Sequence, residues 1–140
     1  MRFMVITKAT ANSEAGVQPA TEEFETVGKF IEEMVDAGVL LAAEGITPSS
    51  QGVRIYFDGE KKTVVDGPFT ETKELIAGFF LVEVKSLEEC VEWFKRFPQM
   101  DKGEPTNIEI RRVYGAEDFG DNMTAEQREA VVERDAKGIW

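Results

Sequence analysis

An α+β fold in the order β-α-β-β-α-β, ferredoxin-like in its succession of elements and carrying an extra hairpin between its halves, is predicted by three observations. Short apolar segments are bounded by turn residues, two longer segments repeat apolar residues at helical spacing, and Asp58-Gly59 separates two alternating runs as a hairpin turn. Two helices cover only one face of such a sheet. The other face is apolar as well, because Met4, Ile6, Phe79 and Leu81 alternate with Phe3, Val5, Phe80 and Val82. It calls for a partner surface, and a second copy of the chain is the economical choice.

Phe3 to Ile6 is apolar on both alternating faces, as suits a central strand covered on each side. Ala9 to Ala20, with Asn12, Ser13, Gly16 and Pro19, reads as a loop. Phe24, Val27, Ile31, Met34 and Val35 then recur at helical spacing; Glu22 and Glu23 suit the positive first turn, and Gly38 is placed to end the helix. Val39 to Ala43 reads as a strand or strand-like extension and Ile46 to Gln51 as a loop. Val53, Ile55 and Phe57 alternate with Arg54 and Tyr56 ahead of Asp58-Gly59 and Thr63 to Val65, the clearest hairpin in the chain.

Asp66-Gly67-Pro68 must turn, since Pro68 fixes its own φ and pushes Gly67 out of the helical region. The polar run Thr70 to Glu74 leads into the most apolar strand, Leu75 to Val84. Ser86-Leu87-Glu88-Glu89 has the capping-box pattern. Leu87, Cys90, Val91, Phe94 and Phe97 share one helical face, and Pro98 blocks continuation. Ile108 and Ile110 alternate with Glu109 and Arg111 in a last strand reaching Tyr114. Thr124 to Gln127 repeats the capping-box pattern before a thin stripe through Ala130 and Val131, so a helix there needs a supporting surface.

The 140 residues suffice for one core, and the expected division is a domain over residues 1–119 with an acidic helical tail over 120–140. Residues 117–135 hold Glu117, Asp118, Asp121, Glu126, Glu129, Glu133 and Asp135 against Arg128 and Arg134. Over the whole chain 27 acidic and 16 basic residues give a net charge of −11, which argues against a nucleic-acid-binding surface. The sequence contains no histidine, so an acid or base must be a carboxylate, a lysine or a tyrosine with a displaced pKa. The one cysteine, Cys90, sits among apolar neighbours and reads as a buried hydrophobe. Neither a metal nor an organic cofactor is expected. Without disulfides, a recognisable signal peptide or a long apolar span, the chain reads as cytoplasmic.

The run Asp66-Gly67-Pro68-Phe69, continued by Thr70-Glu71-Thr72-Lys73-Glu74 and the apolar strand, resembles the YCII-related or DGPF-domain family. The opening Met1 to Ile6, the stretch Gly38 to Gly45 and the helix around Glu92-Trp93 share that likeness. The resemblance implies a dimeric α+β barrel, with two sheets packed face to face in a homodimer. It says little about activity, because most members have none established. Some are thought to use a His and Asp pair, which this chain cannot supply. DGPF-type proteins are often encoded beside alternative sigma factors, which implies a regulatory role by association alone.

Each candidate site residue has two readings. Asp66 either accepts backbone amides in its turn or acts as a base. Glu44 interrupts an apolar segment before Gly45, so it lies at an exposed strand end or in a pocket. Lys73 is an exposed charge at a strand entrance or a partner for a developing oxyanion, a role open to Arg54 as well. Arg54 and Tyr56 face solvent or a cavity, and Phe69, Thr70 and Thr72 complete the ligand-binding set. The resulting expectation is a small organic molecule held in a cavity, with cofactor-free proton transfer of lyase or isomerase type based on Asp66, Glu44 and Lys73. A non-catalytic ligand- or protein-binding regulatory module is the alternative.

Overall fold

The computed structural model describes residues 1–71 and 73–139. The chain forms β1 (Arg2–Lys8), α1 (Ala11–Glu14), α2 (Thr21–Asp36), β2 (Leu40–Gly45), β3 (Val53–Asp58), β4 (Lys61–Asp66), β5 (Ile76–Glu83), α3 (Leu87–Phe94), β6 (Ile108–Arg112) and α4 (Ala125–Ala136). A four-stranded sheet has the order β2-β5-β1-β6, every neighbouring pair antiparallel, while β3 and β4 form a separate two-stranded sheet. This interleaving of two split β-α-β units is the ferredoxin-like arrangement, with the hairpin inserted between them.

One face of the sheet carries the core. Phe3 pairs with Val82 and Val5 with Phe80, and all four are buried with Phe30, Met34, Cys90 and Phe94 from α2 and α3. Phe30 and Phe80 meet each other and the rings of Phe94 and Phe97 edge to face where helices and sheet converge, with Phe80 and Phe94 5.3 Å apart between centroids and Phe30 and Phe97 5.6 Å apart. Such pairs add to the stabilisation their buried area already provides. An Arg96–Glu33 ion pair links the ends of α3 and α2 outside this cluster. Cys90 is fully buried, and desolvation, followed by the nearby Glu89 charge, pushes its thiol up to about 11. It is a packed apolar residue.

Several boundaries differ from those expected. The Ala9 to Ala20 segment contains the short α1, because Thr10 accepts the Ser13 amide at 3.1 Å while the Ser13 hydroxyl accepts the Thr10 amide at 2.8 Å. That reciprocal cap comes from Thr10 and Ser13 rather than from an acidic third residue. The hairpin loop is Gly59-Glu60, one residue later than Asp58-Gly59, since Asp58 still pairs with Lys61 and Gly59 takes φ +61°. At α3 the box is shared: Ser86 caps the Glu89 amide, but the Glu89 carboxylate takes the Lys85 amide at 2.8 Å. Gly38 ends α2 at φ +72°, and Thr124 and Gln127 form the reciprocal cap of α4.

The segment after β6 is held by polar anchors. Arg112 and Asp118 form a bidentate pair at 2.7 and 2.9 Å, Arg128 donates to the Ala116 and Gly120 carbonyls at 2.7 Å, and Arg2 on β1 reaches Asp135 on α4 at 3.2 Å. The Asp118 carboxylate is held down at about 2, first by Arg112 and then by the Gly115 amide. No residue of α4 itself is buried, in keeping with its thin apolar stripe.

Candidate functional site

The register of the main sheet explains where space is left in the molecule. On the helix-covered face, the row Ala43, Phe80, Val5, Ile110 is filled by side chains. The next row is Gly45, Gly78, Thr7, Ile108, and two of its four positions have no side chain. Gly78 is required by its neighbours, because a Cβ there would lie 2.6 Å from the Glu44 carbonyl oxygen. Gly45 is different: a Cβ built on it meets nothing within 4 Å. Glycine inside a strand removes packing volume, and here the helices above do not close the gap.

The result is a cavity of about 1000 Å³ at this end of the sheet. Its floor is the glycine row, and Phe24, Val27 and Ile31 of α2 face it across the gap while Phe80, Phe94 and Phe97 close the inner end. The rim is polar. Thr10, Asn12 and Ser13 stand on one side, Gln51 on another, and Gln99, Asp101, Thr106 and Asn107 on a third. Hydrogen bonds hold this rim: Asn12 donates to Asp101 at 3.1 Å, the Ala11 amide to Glu104 at 3.1 Å, and the Gln99 side chain to the Asp101 and Glu104 carbonyls at 3.0 Å. An aromatic interior under a rim of amides and hydroxyls is the usual lining of a small-molecule site, and its size lies at the upper end of the usual range.

Of the sequence-predicted site residues, Glu44 lines this cavity. It is exposed and pairs with Phe79 on β5, so in the strand alternation it belongs to the face opposite the glycine row and borders the cavity at its edge. Arg54, Tyr56, Asp66, Phe69, Thr70 and Lys73 are not among the residues lining it. Several of them form a second cluster at the root of the hairpin. The Arg54 guanidinium lies 3.9 Å from the centroid of the Phe69 ring and 3.5 Å from Glu71, and hydrogen bonding to Tyr56, ahead of the Glu71 interactions, raises its already high pKa. Asp66 is exposed at the end of β4 opposite Val53, and Thr70 and Lys73 are also exposed. Thr72 lies outside the described residues.

The Asp66–Phe69 turn has a definite architectural role. Its Gly67–Pro68 peptide is cis, the Gly67 amide donates to the Gly52 carbonyl at 2.9 Å, and the Phe69 amide donates to the Ser49 hydroxyl at 3.0 Å. A Cβ at Gly67 would overlap the Ser49 carbonyl, so only glycine permits the approach. Ser49 belongs to a 3-10 turn over Ser49–Gln51 and gives its own amide to Glu14 at 2.7 Å. The turn thus fastens the hairpin to the wall of the cavity.

The uncovered face of the sheet offers a further electrostatic feature. Glu109 sits between Lys8 at 3.4 Å and Arg111 at 3.0 Å, and hydrogen bonding from Arg111, then Lys8, lowers its pKa. Among the described residues no group of three or more Cys, Asp or Glu side chains is arranged to hold a metal ion, and no helix is long and apolar enough to cross a membrane. The cavity residues missed in the sequence are those of α1, the 99–107 loop and the glycine row. Gly45 and Gly78, each interrupting a strand pattern, were the available signal.

Fold and register together define a ferredoxin-like α+β domain with an inserted hairpin. The YCII-related domain model matches residues 1–114, and the chain belongs to that family. The chain is also similar to an uncharacterized protein of Rhizobium meliloti (strain 1021), with 34% identity over 59 residues covering 42% of this chain and 48% of the relative. It therefore matches about half of that relative's length.

Proposed function

We propose that the cavity above the Gly45-Gly78 row binds a small, largely apolar organic molecule whose polar group meets the hydroxyls and amides of the rim. The observation that carries this reading is the row itself, which leaves a phenylalanine-lined space beneath α2 at the one point where strand residues lack side chains. In this reading Glu44, next to Gly45 at the cavity edge, is the base that takes a proton from a bound molecule, in cofactor-free chemistry of lyase or isomerase type. Asp66, Lys73 and Arg54 serve the hairpin root in this reading. Binding without catalysis is the alternative, and the amides and hydroxyls that make up much of the rim support it. A cytoplasmic setting belongs to the same proposal, supported by a single buried cysteine. So does pairing with a second copy through the sheet face opposite α2 and α3, where Met4, Ile6 and Phe79 keep partial exposure.

Gly45→Val tests the cavity. A strand accepts valine, and the added side chain enters open space without a backbone clash. With 8-anilinonaphthalene-1-sulfonate as the probe, fluorescence titration is expected to show affinity falling roughly tenfold, or about 1.4 kcal/mol, at unchanged thermal stability. Equal affinity in the variant would remove the cavity from consideration. Once a natural ligand is in hand, Glu44→Gln separates the two readings: loss of proton exchange at unaltered affinity marks catalysis, and no change in either marks binding alone. Light scattering checks the pairing, for which a monomer at micromolar concentration is the contrary result.

A further inference from the structure

In the row Gly45, Gly78, Thr7, Ile108 that floors the cavity, Thr7 carries the polar side chain. It pairs with Gly78 on one side and with Ile108 on the other. Its oxygen, rather than its methyl group, is the Thr7 atom nearest Gly78, 3.3 Å from where a Cβ on that glycine would stand. The hydroxyl therefore leans over the bare backbone of the row, and a branched side chain on a central strand has little freedom to turn it elsewhere. Among the described residues this hydroxyl has no hydrogen-bond partner. The Thr10 and Ser13 hydroxyls at the rim are, by contrast, committed to the cap of α1.

A hydroxyl both donates and accepts, and covering it with apolar surface forfeits its hydrogen bonds to solvent. A ligand that fills the cavity covers Thr7, so it binds well only when it offers a hydrogen-bonding group at that point. Valine would serve a purely apolar floor, since it has the same branched shape and suits a strand equally. Charge decides what kind of group this is. Glu23, Glu44 and Asp101 line the cavity, and the basic residue among the described lining residues, Lys8, is held by Glu109 at 3.4 Å. An anionic group on the floor would lack a free cation and face three acidic residues, while an ammonium would meet phenylalanine rings and the neutral Thr7. An unpaired charge at that depth is costly. A neutral hydroxyl or carbonyl meets Thr7 without that cost.

We propose that Thr7 is a specificity-determining residue of the cavity, and that the ligand rests an uncharged hydroxyl or carbonyl group on the glycine row within hydrogen-bonding reach of the Thr7 hydroxyl. This rests on the cavity reading put forward above and adds a polar contact on the floor to those at the rim. The ligand class becomes an alcohol, phenol or ketone with an apolar body. Gly45 and Gly78 belong to the same device, because a side chain at either position would screen the Thr7 oxygen from a bound molecule.

Displacement of 8-anilinonaphthalene-1-sulfonate by 2-naphthol and by 2-methylnaphthalene, which match in shape and differ in a hydroxyl against a methyl group, tests the assignment. The affinity for 2-naphthol relative to 2-methylnaphthalene is expected to fall roughly tenfold in Thr7→Val and to be kept in Thr7→Ser. Thr7→Val should also melt at the temperature of the wild type or slightly above it, because no hydrogen bond within the protein is lost. A relative affinity unchanged in Thr7→Val, displacement by neither compound, or a melting temperature lowered by several degrees overturns the role of Thr7 and leaves the cavity reading standing. An affinity for 8-anilinonaphthalene-1-sulfonate that Gly45→Val does not alter overturns both.

Discussion

The central strands β1 and β5, apolar on both faces, and the hairpin strands β3 and β4, where apolar and polar residues mix, have opposite surroundings. In β5, Phe80, Leu81 and Val82 are buried, whereas every residue of β4 is exposed. Alternation reports that a segment is extended and paired. Cover comes from the elements that cross it, and the crossing helices belong to the four-stranded sheet alone.

That contrast can be broken first in the core. Phe80→Ala removes a ring that packs edge to face on Phe30, Phe94 and Phe97, and chemical denaturation is expected to show a loss of about 3–5 kcal/mol. Phe57→Ala in the hairpin should leave the stability of the fold nearly untouched, altering it by less than about 0.5 kcal/mol. Equal losses at the two sites would erase the distinction between the sheets. The helix caps sharpen the comparison. Ser86→Ala, beneath a helix packed on the core, is expected to cost about 1 kcal/mol of global stability. The same change at Thr124 should fray α4 without moving the main transition, a difference that hydrogen exchange reads helix by helix.

The smallest effect lies at the tail anchor. The Asp118 carboxylate is depressed from 3.8 to about 2, so the folded state favours its ionised form. The stabilisation is present above the ordinary carboxylate value and is lost as pH falls through about 4 toward about 2. Nuclear magnetic resonance of the Asp118 side chain should show this titration, and Arg112→Gln should return it toward the ordinary range. Unaltered titration in that variant would mean that the Gly115 amide alone holds the charge.

Element order, the two helices, the hairpin and the buried phenylalanines were legible because periodicity and turn chemistry act locally. Thr10 and Ser13 were harder to read, since a one-turn helix has too few residues for a repeat and depends on two short side chains closing on each other. The candidate site was less legible. Asp66 to Lys73 stood out as a polar run beside an apolar strand; within it Gly67 and Phe69 dock on Ser49, while Asp66, Thr70 and Lys73 are exposed. Glu44 borders the cavity because it is the penultimate residue of β2, beside Gly45. Gln99, Asp101 and Asn107 reach the rim through a loop whose path depends on how α3 and β6 pack, and nothing in their spacing declares it.

Ser49 gives the Asp66–Phe69 turn a mechanical meaning. Its amide is tied to Glu14, at the end of the short helix that borders the cavity, and its hydroxyl is tied to Phe69, at the base of the hairpin. Residues separated by 35 and 20 positions in the chain are thereby pinned to one rivet. Because the side-chain-free Gly67 sits flush against that rivet, the base of the hairpin and the short helix beside the cavity share one point of attachment.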